Sequence, residues 1–171
     1  MKKIILLSDL WGNERSHWLP HYTSLLEKHF QLSYFDCREL GNLSGEGLSE
    51  EELHSRFVNG GIERAVERLL EKESESFAVV GFSVGGYIAW KACLAGFRAE
   101  KLIALSSTRL RKETEKPAIE LELIYGENDS FRPGSSWFEE MGIEEHILPG
   151  EGHELYRKKE IAEEVCERLK K

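Results

Sequence analysis

The 171-residue sequence has only three cysteines, Cys37, Cys93 and Cys166, set far apart. An odd, scattered set argues against a disulfide framework, and no Cys/His spacing matches a zinc site. No apolar run approaches the roughly 20 residues of a membrane span. The opening run, Ile4 to Leu7, stops at Ser8-Asp9 without a small-residue cleavage site, unlike a secretory leader. Basic charge is also in short supply: 23 Lys+Arg face 31 Asp+Glu, a formal charge of −8. That balance argues against nucleic acid or an anionic membrane as partner. Gly-x-Gly-x-x-Gly is absent, and no Gly-Lys-Ser/Thr follows the glycine-rich stretch near position 83, which disfavours a nucleotide cradle. The expected setting is reducing and cytoplasmic.

What is present suits one domain over residues 1–171. Hydrophobic residues make up 40% of the chain, and 8 Phe, 5 Tyr and 4 Trp give material for a core. Short apolar runs at 3–7, 31–35, 77–82, 101–105, 119–125 and 144–148 read as strands. Helical spacing appears between them. Trp18, Tyr22, Leu25, Leu26 and His29 share one face. Ile62, Ala65, Val66, Leu69 and Leu70 mark a helix near 62–72. Further helices are expected at 84–95, closed by Gly96, at 133–141, and around Ile161, Val165 and Leu169. The stretch 38–48 reads as loop. Such alternation predicts an α/β architecture with a central, mainly parallel, six-stranded sheet covered on both faces. The strands' C-terminal ends should then share one edge, where open sheets hold ligands.

The sharpest motif is Gly81-Phe82-Ser83-Val84-Gly85-Gly86. A buried strand ends at a serine, glycines stand two positions before and after it, and a helix begins at once. A nucleophile on such a turn is pushed outward on a strained backbone, and side chains at the glycine positions would collide. The competing readings are a serine N-cap and a phosphate cradle. A serine nucleophile needs a base, and the base needs an orienting acid. Of six histidines, His153 follows Pro149-Gly150-Glu151-Gly152 directly after the last strand. Asp129 stands in the turn after the strand ending near Tyr125, with Glu127 as the alternative acid.

The order Ser83, Asp129, His153, each just after a predicted strand, resembles the α/β-hydrolase family over nearly the whole chain. Asp36-x-Arg38 with Gly41 and Ser44 resembles a loop of esterases of this kind. The resemblance implies a Ser-His-Asp triad, no metal and no organic cofactor. It also implies an oxyanion hole from the Val84 N–H and a second N–H after the first strand. Counting forward from that strand selects Leu10, whereas matching the Trp-Gly pair selects Trp11. Phe82, Trp11, Leu10 and His17 are expected pocket walls. Ser106 to Ala118 is too short for a lid domain, so an open site is expected. Arg109, Arg111, Lys112 and Lys116 lie in that short connection. The expected activity is hydrolysis of a small-molecule carboxylic ester or thioester through an acyl-enzyme. A non-catalytic receptor on the same fold is the alternative.

Overall fold

The computed structural model describes residues 1–171. Six parallel strands form one sheet: β1 (Lys3–Leu7), β2 (Gln31–Phe35), β3 (Glu75–Phe82), β4 (Arg98–Leu105), β5 (Glu120–Gly126) and β6 (His146–Leu148). Their order is β2-β1-β3-β4-β5-β6, and every neighbouring pair is parallel. The helices are α1 (Pro20–Leu26), α2 (Cys37–Leu40), α3 (Glu50–Arg56), α4 (Ile62–Lys72), α5 (Val84–Leu94), α6 (Ser135–Met141) and α7 (Lys159–Lys170). No helix is long and apolar enough to cross a membrane.

Strand alternation explains the two cores. Ile5, Leu7, Val79, Leu102, Ala104, Leu123 and Tyr125 point to one face, under α2, α4, α5 and α6. Ile4, Leu6, Val80, Phe82, Ile103, Leu105 and Ile124 point to the other, under α1 and α7. Both faces are apolar, as expected of strands buried on two sides. A half-buried charge cluster fastens α7 to the sheet. Glu122 on β5 accepts from Lys101 on β4 (3.1 Å) and from Arg168 on α7.

Several expected features differ in detail. The stretch 38–48 is not all loop, because Asp36 caps α2 by accepting from the Arg38 and Glu39 N–H groups. The helix α3, which the apolar periodicity does not mark, is fixed by a capping box between Ser49 and Glu52. Trp18 lies ahead of α1 rather than within it, and His29 is exposed. The connection between β4 and β5 carries one three-residue 3-10 turn, Leu110–Lys112, and no lid.

Candidate active site

The turn from β3 to α5 places Ser83 at φ 52° and ψ −118°, a conformation side-chain-bearing residues rarely adopt. The close packing around it explains the glycines. A Cβ on Gly81 would lie 2.5 Å from Gly86 Cα, and one on Gly85 would lie 2.4 Å from the Ser8 carbonyl oxygen. The Ser83 N–H donates to the Leu105 carbonyl (2.9 Å), anchoring the turn to β4.

Two further loops converge there. After β5, the Gly126 turn packs against the loop that follows β6, and a Cβ on Gly126 would meet the Glu151 carbonyl at 2.3 Å. The Asn128 N–H donates to that same carbonyl (2.9 Å). The contact sets Asp129 beside His153. The Asp129 carboxylate accepts from His153 Nδ1–H (2.9 Å) and from the Phe131 N–H (2.9 Å). A carboxylate only accepts, so the imidazole proton sits on Nδ1 and leaves Nε2 free to accept. Ser83 Oγ–H donates to that Nε2 at 3.0 Å. The Asp129 side chain is sealed from solvent at 0% exposure, while His153 keeps 25%. Glu127 is spent elsewhere: its carboxylate accepts from the Gly150 N–H.

The N–H groups near Ser83 fall into two classes. Val84 opens α5, so its N–H has no partner within the helix. Trp11 donates its N–H to Asp9 Oδ1 (3.0 Å), and Gly12 donates to the Asp9 carbonyl. Leu10 N–H has no protein acceptor. Of the two residues open after the first strand, Leu10 therefore has the free donor, and Trp11 does not.

Asp9 is buried at 1% exposure. Its second oxygen accepts from the Tyr156 hydroxyl (2.9 Å), so it ties the loop after β1 to the segment carrying His153. Burial pushes this carboxyl above its ordinary range, against the lowering pull of Tyr156 and Arg157.

A narrow cleft of about 20 Å³ opens on Ser83. Leu10 and Val84 border it on one side, His54, Phe57, Val58 and Ile62 on another, and Thr108 and Arg109 on a third. It has room for roughly one water-sized group, so the site is not open as expected. The cover comes from α3 and the turn after it, together with Thr108 and Arg109 of the β4–β5 connection. The capping box Ser49-x-x-Glu52 was the sequence signal for α3.

Three expected pocket walls lie elsewhere. Phe82 is fully buried on the opposite sheet face, with its ring centre 4.7 Å from Trp18 and 4.8 Å from Tyr22. Strand alternation forces this, since Phe82 and Val80 share a side. His17 is exposed and does not border the cleft, and Trp11 instead stacks under the Arg15 guanidinium (3.7 Å). Asp36 and Arg38 brace loops: Asp36 accepts from the Asn13 N–H (2.8 Å), and Arg38 donates to the Leu43 and Gly45 carbonyls. No group of three or more His, Cys, Asp or Glu is arranged to hold a metal ion.

No protein-family model and no curated protein matches the sequence. Solved structures do match the fold. A protein from Xanthomonas campestris pv. campestris assigned to the alpha/beta hydrolase superfamily superposes with a TM-score of 0.70 at 16% identity, covering 99% of this chain and 98% of that one. A bromoperoxidase from Bacillus anthracis gives 0.65 at 17% identity, covering 99% and 92%. Est1E from Butyrivibrio proteoclasticus, with ferulic acid bound, gives 0.63 at 14% identity, covering 99% and 87%. The chain has the α/β-hydrolase fold. One fold carrying such different names does not fix a chemistry.

Proposed function

We propose that the protein is a serine hydrolase that cleaves a small carboxylic ester or thioester. The hydrogen-bonded chain from Ser83 Oγ through the His153 imidazole to the Asp129 carboxylate carries this reading. Ser83 Oγ attacks the substrate carbonyl as His153 Nε2 takes its proton. The imidazolium then protonates the leaving alcohol or thiol as the tetrahedral intermediate collapses to an acyl-enzyme. Water, deprotonated by the same nitrogen, attacks the acyl carbonyl and frees the acid and Ser83. Asp129 holds the tautomer and favours the transient imidazolium. The N–H groups of Val84 and Leu10 receive the oxyanion, each worth roughly 3–4 kcal/mol in serine hydrolases.

The test uses purified protein, a fluorophosphonate probe and short p-nitrophenyl esters. The wild type is expected to take the label and turn over the esters, and Ser83→Ala to lose both. An unlabelled wild type overturns the reading. Labelling without turnover of any acyl ester transfers the site to the receptor alternative.

A further inference from the structure

The groove between α4 and α5 begins at the Ser83 cleft and leads away from it. Val84 opens α5 at the cleft, and Tyr87 and Lys91 follow on the same side of that helix, where they line a second cavity. On α4, Ile62 borders the cleft and Val66 follows in the second cavity. Residues three and four apart share a helix face, so the two hollows are successive stations of one groove. Their sizes differ sharply. The cleft over Ser83 measures about 20 Å³ and the second cavity about 300 Å³. Val58, Ile62 and Arg109 line both, so these three side chains form the partition. Val58 and Ile62 come from the turn after α3 and the start of α4, whereas Arg109 comes from the β4–β5 connection. Its guanidinium carbon lies 5.8 Å from the Tyr87 ring centre. Tyr87 stands about 4.5 Å beyond Val84 along the α5 axis. The Arg109 side chain therefore runs from the cleft border into the groove. It is held there at a cost. Arg109 takes φ 68°, where a glycine would sit more easily, and its Nε is buried without a hydrogen-bond partner. Such strain collects where an arrangement serves a site.

Resting on the hydrolase reading above, the geometry points to Arg109 as a specificity residue whose side chain plugs the groove behind Ser83 and limits the substrate to a short acyl group. An acyl chain that continues along the groove from Ser83 meets the Arg109 side chain before it reaches Tyr87. Without that side chain, the groove runs on to the second cavity along Val58, Ile62, Val66 and Tyr87, whose apolar surface suits methylene groups. Glu63 and Glu67 also line that cavity, but both are exposed and stay hydrated. Lys91 is paired with Glu113 (3.2 Å).

The probes are p-nitrophenyl acetate and p-nitrophenyl hexanoate, which share a leaving group and differ in acyl length. The wild type is expected to favour the acetate by about tenfold or more in kcat/KM, the range of a steric penalty in a closed pocket. Arg109→Gly removes the plug and suits φ 68°, so the fold is expected to hold and the preference to vanish or reverse. Arg109→Met keeps the bulk without the charge and is expected to keep the wild-type ratio. Equal use of both esters by the wild type, an unchanged ratio in Arg109→Gly, or a ratio in Arg109→Met that moves as it does in Arg109→Gly overturns the proposal and leaves the hydrolase reading intact. A second arm needs no turnover. In Ser83→Ala, methyl hexanoate is expected to raise Tm only when Arg109→Gly is added. A rise with Arg109 in place, or none in either protein, overturns the proposal even in a protein that hydrolyses nothing.

Discussion

Asp9 holds a carboxylate at 1% exposure between two loops of the site. It caps the loop after β1, because the Trp11 N–H and the Tyr156 hydroxyl take both oxygens. Its position has a measurable cost. Burial raises its pKa above the ordinary 3.8, so the folded protein holds this proton more tightly than the unfolded chain does. Its stabilising share is therefore complete below that ordinary value and is lost as pH rises through the raised folded value. Asp9→Asn cannot titrate. The stability of wild type relative to Asp9→Asn should fall as pH rises above the ordinary carboxyl value of 3.8, as read by urea unfolding of both proteins. A difference that stays flat, or grows with pH, contradicts the assignment. Ser83, Asp129 and His153 were legible one by one, because each follows a strand and sits beside glycines that mark a tight turn. The free N–H of Leu10 was not, since which amide stays unpaired depends on where the Asp9 side chain turns.

At the scale of elements, the strands announced themselves as unbroken apolar runs, and α4 as a clean stripe of Ile62, Ala65 and Leu69. The helix α3 is short and mostly exposed, with Leu53 as its buried residue, so its apolar period is too thin to read. It still shapes the cleft, because Phe57 and Val58 follow directly from it. Its cap is the place to weaken it. Ser49→Ala should remove the Ser49 Oγ that accepts from the Glu52 N–H and cost about 1 kcal/mol. Hydrogen exchange should speed up across Glu50 to Arg56, with the amides of β3 and β4 unaffected.

Across the whole molecule, the sheet separates the cleft from the core under α1 and α7. Phe82 belongs to the second, in a knot of rings with Trp18, Tyr22 and Tyr156. Its place next to Ser83 in the chain suggested a pocket wall, but adjacent strand residues face opposite ways. Phe82→Leu should lower stability by about 1 kcal/mol or somewhat more, as shape changes in a packed core do. The order of preference among short acyl esters should stay as in the wild type. A changed order would return Phe82 to the pocket. The parallel sheet and its two covered faces were readable from alternating strand and helix patterns, whereas the closure of the site was not. It arises from contacts between segments about 25 to 75 residues apart that no local pattern encodes.

The brace formed by Asp36 and Arg38 has a consequence for how this scaffold can change. Asp36 grips the Asn13 amide, and Arg38 holds Glu14 and the carbonyls of Leu43 and Gly45. The stretch from Leu43 to Gly60 is thus tethered at its root, away from the reacting serine. Exchange of this stretch for one of different length is expected to leave the sheet and the side chains of Ser83, Asp129 and His153 in register. On the hydrolase reading proposed above, that stretch would help to set selectivity, and the clamp that holds it lies outside the Ser83–His153–Asp129 chain.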